Sequence, residues 1–369
     1  DSGVAFIRAN NLKDGKLTWQ DMRYIDLDLH KVLKSGHLKT GDILVTTRGD
    51  VGITAYVTEE FNNANINAQI CLLRTGDDLA KQYLFYSLQT AKSKNQFTQL
   101  QTGSALKQLP KGKLALLVIG VPSKDEQERI AGFLTMVDER VVAMSKKVEL
   151  LQQYKKGVMQ KIFSQKLRFK DENGQNYPDW GEKDIKQCTS FIKDGTHGTH
   201  VDTPESPYFL LSAKNIKQGV VIYNANDRTI SEDEFNLISK NYTLQENDVL
   251  MSIVGTIGNI ALWNKSLSKI AFQRSVAFLR FEKINPNYVF QLFSTRYFQN
   301  ELKRRTVISA QPGIYLGDIA KIIIPIPLGE EQQKIADFLT SLDDKINLEK
   351  TRLEQAKLFK KSLLQRMFV

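Results

Sequence analysis

Residues 125–163 carry apolar side chains in alternating steps of four and three: Ile130, Leu134, Val137, Val141, Met144, Val148 and Leu151, then Val158 and Ile162. The stretch has no Pro and only two Gly. This 4-3 spacing predicts one long helix with a narrow heptad seam. Residues 330–369 repeat the pattern with Ile335, Leu339, Leu342, Ile346, Leu353, Ala356, Leu363 and Met367. Each seam is interrupted once, by Lys155 in the first copy and Lys360 in the second. Elsewhere the apolar runs are short and of strand length, as at 114–119. Pro and Gly punctuate them, which predicts mixed α/β globular segments between the helices.

The resemblance between the helices extends to the whole chain. Held at an offset of 205, residues 126–163 and 331–368 share thirteen identical pairs, among them Asp138/Asp343, Lys155/Lys360 and Phe163/Phe368. Upstream, 9–15 answers 213–219, and Asp42 with Gly49 and Gly52 answers Asp248 with Gly255 and Gly258. Pro122 answers Pro327, each closing an apolar strand before the helix. The expected architecture is α+β, with two globular mixed α/β domains in tandem, 1–124 and 166–329. Two long spacer helices, 125–165 and 330–369, would join them as an antiparallel coiled coil of pseudo-two-fold symmetry. A helix of ~39 residues spans ~58 Å, enough to hold two DNA sites about one helical turn apart. The alternative is that each helix packs only on its own domain. Residues 167–205 have no counterpart before Asp1, so about forty residues are expected to be missing from the first unit, in a chain that opens on Asp1 rather than Met.

Composition narrows the chemistry. Hydrophobic residues make up 41% and charged ones 25%, as in ordinary globular proteins, and no apolar run reaches the ~18 residues of a membrane span. Cys71 and Cys188 stand alone, outside any CxxC or Cys/His cluster, and are expected to be reduced and buried; a cytoplasmic location follows. The net charge of +10 suits a polyanion.

Each globular unit then offers loops with nucleic-acid chemistry. A strand, a glycine turn and a second strand follow Asp42 and Asp248, and the turns differ at Arg48, Asp50, Thr256 and Asn259 while keeping their frame. Such a frame is either a tight hairpin or a scaffold for two different base readouts. A second loop places Ser104 and Lys107 in the first unit against 306–312, including Gln311, in the second; there it follows Arg304 and Arg305. A third pairs Gln69 with Gln273 and Arg274. Lys193, Thr196, His197, Thr199 and His200 form a polar stretch that reads as a contact loop, a plain loop or half of a metal site; no second cluster completes the last. No GxxxxGK[ST] loop, Asn-Pro-Pro-aromatic motif or GxSxG elbow occurs, so no catalytic residue is assigned.

Taken together, the tandem units, the helix-opening pattern (Pro122 with Glu126-Gln127-Ile130-Phe133-Leu134, and Pro327 with Glu331-Gln332-Ile335-Phe338-Leu339), the Tyr177-Pro178-Asp179-Trp180 opening and the Asp194-Gly195-Thr196-His197 loop resemble the specificity subunits of type I restriction-modification systems. The resemblance covers essentially the whole chain. It implies a non-catalytic subunit that binds double-stranded DNA, one half of a split target per target-recognition domain. It also implies two modification (methyltransferase) subunits docked on the helices, holding S-adenosylmethionine that this chain does not bind, and restriction subunits completing the complex. The competing readings are the recognition part of a single-chain restriction-methyltransferase and a coiled-coil scaffold with incidental basic charge.

Overall fold

The computed structural model describes residues 3–307 and 310–368. The chain divides into two compact units, Asp1–Lys147 with Glu349–Val369, and Val148–Leu348, so each unit takes a share of both long helices. Both units are built around a short strand that is apolar on both faces.

In the second unit that strand is Val249–Ser252, fully buried, between Val276–Phe281 and Ile260–Leu262 in an antiparallel sheet that Thr189–Asp194 completes at one edge. Val249 and Met251 face a core shared with the helices, and Leu250 faces a second core beneath the small sheet of Tyr208–Leu211, Thr229–Ile230 and Ile270–Phe272. Burial on both sides explains why the sequence reads as an unbroken apolar run rather than an alternating one. The helix Pro286–Phe293 starts where Asn285 caps two backbone N–H groups and Pro sits at a first-turn position that needs no donor.

In the first unit Ile43–Thr46 takes the same place, between Thr54–Tyr56 and Ile70–Leu73. Ile43 and Val45 face one core and Leu44 the other. Its sheet has three strands where the second unit's has four. In both units a buried aspartate ahead of the central strand clamps an arginine of the neighbouring antiparallel strand, on it or just past its end. Asp42 accepts from Arg74 at 2.7 and 2.6 Å, and Asp248 from Arg280 at 2.8 and 2.8 Å. One further guanidinium N–H goes to the His37 and Thr243 carbonyls, and both oxygens of each buried carboxylate are bonded.

The long helices are Lys124–Phe163 and Gly329–Arg366. Each opens on the same lock. Gln127 accepts from the Ala80 N–H and donates to the Pro122 carbonyl; Gln332 accepts from the Asn285 N–H and donates to the Pro327 carbonyl. Within the first unit Asp138 pairs with Lys360 and Lys147 with Glu349. The contacts advance on one helix while they retreat on the other, so the two segments run antiparallel. Within the second unit Lys155 reaches both oxygens of Asp343 at 2.6 Å, while Val158 and Ile162 share a core with Ile335 and Leu339. The lysines that interrupt the seams are therefore each answered by the aspartate of the opposite helix.

The seam residues are buried or half-buried, among them Leu134, Val137, Val141, Met144, Val148, Leu151, Leu339, Leu342, Ile346 and Leu353. One polar seam position escapes the heptad pattern. Glu349, the counterpart of Met144, is buried and held by Lys147 at 2.8 Å and Arg352 at 3.0 Å; the Lys147 hydrogen bond first of all keeps its carboxyl below the ordinary range. Both cysteines are free and buried. Among the described residues no helix is long and apolar enough to cross a membrane.

Candidate nucleic-acid interface

The proposed contact loops lie far apart in sequence, and the backbone brings them together within each unit. In the first unit the Thr47 N–H donates to the Gln69 carbonyl at 2.7 Å, and the Leu109 N–H to the Thr47 carbonyl at 2.9 Å. Arg48 bridges Gln108, which also pairs with Thr102. Arg48, Asp50, Gln69, Ser104 and Lys107 are thus exposed side chains on three neighbouring segments.

The turn itself is stapled from inside. The buried Thr46 hydroxyl donates to the Asp50 carbonyl and accepts from the Ile53 N–H. Ser252 does the same work on the other turn, accepting from the Asn259 N–H at 2.9 Å. Gly49 and Gly52, like Gly255 and Gly258, have positive φ. The first of each pair stands in open space, whereas a Cβ at Gly52 would press the Phe97 ring at 2.8 Å. One glycine shapes the tip and the other lets it sit on the helix below.

In the second unit four segments converge. Thr196 pairs with Gln273; the Arg274 N–H donates to the Thr196 carbonyl; the Ile253 N–H donates to the Ser275 carbonyl; the Gly255 N–H donates to the Pro312 carbonyl. Gly195 permits this approach, since a Cβ there would lie 2.1 Å from the Phe272 carbonyl oxygen. Thr199, Thr256, Asn259, Arg274 and Gln311 are exposed, and Gln273 is half-buried. Ile308 and Ser309, part of the expected 306–312 loop, lie outside the described residues.

The histidine loop is organised by hydrogen bonds. His197 meets Asp194 at 2.8 Å; His200 meets Thr196 at 2.8 Å and Glu234 at 3.5 Å. The two rings have separate carboxylates, and among the described residues no group of three His, Cys, Asp or Glu is placed to hold a metal ion. Arg228, unnoticed in the sequence, ties this loop down through Asp202 and the His200 carbonyl. Lys193 donates to the Asn241 carbonyl at 2.9 Å and lines a cavity of about 360 Å³ with Thr196, His197 and Tyr242. Burial pushes the Tyr242 phenol up to about 12, and its oxygen accepts from the Phe272 N–H.

The arginine pair divides. Both are bound to Glu301, whose carboxyl is held low chiefly by the Arg305 hydrogen bond. Arg305 is largely covered, at 30% side-chain exposure against 75% for Arg304, so only Arg304 presents an open guanidinium. The Asp–Arg clamps were legible as repeated aspartates, but Arg74 and Arg280 carried no local signal beyond a shared distance of 32 residues from them.

The model of the type I restriction modification DNA specificity domain matches twice, over residues 5–153 and 182–358. The chain belongs to that family. Each match takes in one globular segment and most of the helix that follows it. The chain is 29% identical to the type I restriction enzyme MjaVIII specificity subunit of Methanocaldococcus jannaschii, covering 78% of this chain and 68% of that one. It is 23% identical to the EcoBI specificity subunit of Escherichia coli, covering 80% and 65%. Among solved structures, the S subunit of a type I restriction-modification system from M. genitalium superposes with a TM-score of 0.61 at 16% identity, covering 99% of this chain and 88% of that one. A chain from a structure of type I R-M complex assembly gives 0.59 at 16% identity, covering 99% and 91%. The two-domain reading with paired long helices fits this specificity-domain fold.

Proposed function

We propose that the chain is the DNA-reading subunit of a type I restriction-modification complex, without catalytic chemistry of its own. One observation carries the reading: in each unit, segments distant in sequence are bonded edge to edge so that their exposed tips converge, and the two frames match while the tips differ. A matched frame fixes the approach to the phosphate backbone, and differing tips read different bases. In the first domain, 1–124, the readers are Arg48, Asp50, Gln69, Ser104 and Lys107. In the second, 166–329, they are Thr196, Thr199, Thr256, Asn259, Gln273, Arg274 and Gln311, with Arg304 for phosphate. The other candidates, Arg305, Lys193, His197 and His200, brace these loops through the bonds described above.

The spacer helices set the gap between half-sites and offer the surface on which two modification subunits dock. Those subunits supply S-adenosylmethionine, and restriction subunits join the same cytoplasmic complex. The test is expression with the cognate modification subunit in a host lacking DNA methylation, followed by mapping of methylated bases. A single split motif with a fixed gap is the expected result. A soluble complex that methylates nothing, beside a working positive control, overturns the reading.

A further inference from the structure

In the second unit the polar loop after Thr189–Asp194 closes on one imidazole. The His200 side chain is only 9% exposed. Its Nε2 lies 2.8 Å from the Thr196 hydroxyl, and its Nδ1 lies 3.5 Å from Glu234 Oε1. Glu234 is itself held in place. Its N–H donates to the Ser231 hydroxyl that caps the helix Glu232–Ser239, and its Oε1 accepts from the Val201 N–H at 3.2 Å. Its Oε2 is buried and has no hydrogen-bond partner among the described residues. Arg228 ties the far side of the loop, donating to the His200 carbonyl and to Asp202. The neighbouring ring, His197, has a carboxylate of its own in Asp194 at 2.8 Å.

A neutral imidazole has one donor nitrogen and one acceptor, and the group beside one nitrogen decides the role of the other. A carboxylate facing Nδ1 favours the tautomer that carries its proton there. Nε2 then offers a lone pair, and the Thr196 hydroxyl donates to it. Thr196 Oγ1 also accepts from the Gly198 N–H at 3.3 Å. A hydroxyl has one hydrogen and two lone pairs, so one lone pair is left over. Thr196 is half-buried and lines the cavity of about 360 Å³ with Lys193, His197 and Tyr242. The opposite tautomer reverses the polarity. Nε2–H would donate to Oγ1, both lone pairs would be taken, and the hydroxyl hydrogen would be free to point outward.

We propose that His200, oriented by Glu234, is a positioning residue that determines specificity by fixing Thr196 as a hydrogen-bond acceptor. Thr196 then selects a base that offers an amino group in the major groove, adenine N6 or cytosine N4. Guanine and thymine offer a carbonyl at the same edge and are rejected. The inference rests on the reading of Thr196 as a base contact. It adds the direction of that contact and assigns it to a side chain that need not touch DNA. A bracing role alone would weaken binding to all sequences alike and leave the preferred base unchanged.

Two measurements separate the device from the reading. Ring nitrogen NMR of the intact chain, which has four histidines, reports the tautomer without DNA. His200 should carry its proton on Nδ1, and a ring protonated on Nε2 overturns the proposal. Methylation mapping of the complex with its cognate modification subunit reports the base. Thr196→Val should cost at least tenfold in preference at one position of one half-site, where the unaltered chain selects adenine or cytosine. His200→Gln keeps an N–H for Glu234 and an oxygen in place of Nε2, so it should keep that base. His200→Lys is a donor without a lone pair and should switch the preference to guanine or thymine by at least tenfold. Glu234→Gln, which can turn an amide N–H toward Nδ1, should make the same switch, and decides the matter if the lysine variant yields no soluble complex. A motif unchanged by Thr196→Val, a carbonyl base in the original motif, or His200→Lys and Glu234→Gln that lower methylation without changing the base each overturn the proposal. The expected tautomer in a complex that methylates nothing would show that the DNA reading itself has failed, and the proposal falls with it.

Discussion

Glu331 and Glu126 occupy one position of a repeated sequence, and their surroundings make them different groups. The first is fully buried with an arginine and an indole N–H on its oxygens; the second is exposed and lines a cavity. The repeat has kept a tyrosine near each, whose hydroxyl donates to the Gly120 carbonyl in the first unit and to the Pro325 carbonyl in the second. What differs, among the described residues, is the arginine and the indole that cover Glu331. The energetic weight of a carboxylate is therefore set by what covers it, and a residue-by-residue alignment of the two halves would assign both glutamates the same role.

The largest effect should come from breaking that contrast. Arg168→Ala leaves a buried, unpaired carboxylate at Glu331, a change of about 3–5 kcal/mol, whereas Glu126→Ala should fall within about 0.5 kcal/mol. Amide exchange resolved by unit measures both, and equal losses would contradict the comparison. The turn glycines give the next contrast. Gly52→Ala combines a positive φ with a clash against the Phe97 ring and should cost about 2–3 kcal/mol; Gly49→Ala has open space and only the strain of its φ, about 1 kcal/mol. Unfolding of the two variants side by side decides it.

On DNA, Arg274→Ala and Arg48→Ala should each relax discrimination in one half-site only, by about 1–3 kcal/mol. Methylation mapping reads this directly, and loss in both half-sites at once would mean that the tips are not independent readers. The smallest effect belongs to the seam. A double-mutant cycle between Lys155 and Asp343 should give a coupling of about 1 kcal/mol that shrinks as salt is added. A salt-independent value would point to packing rather than charge.

Much of the fold was legible because the sequence says most things twice. The heptad spacing gave both helices. The twinned Lys155 and Lys360 were visible as interruptions, and the twinned Asp138 and Asp343 as identities. Their pairing was not, because each lysine finds the aspartate of the opposite helix, far away along the chain. Glu349 was passed over for the same reason: a carboxylate at a seam position looks like a break until Lys147 is seen across from it. The candidate loops were found by repeat and polarity, yet their convergence depends on backbone bonds such as Gly255 to Pro312 that no local pattern encodes. Arg305 and Lys193 were picked out by charge, and the Glu301 carboxylate and Asn241 carbonyl that they meet carried no local signal.

The boundary of the repeat and the boundary of the folded unit are out of phase, and this has a consequence for how the protein is made. Every residue of the second unit lies between 148 and 348, so its core is complete once that stretch has left the ribosome. The first unit draws Leu363, Leu364, Met367 and Phe368 into its core. The half that is synthesised first is therefore the half that closes last, and it waits with its apolar helix face uncovered until the final turns of the chain arrive.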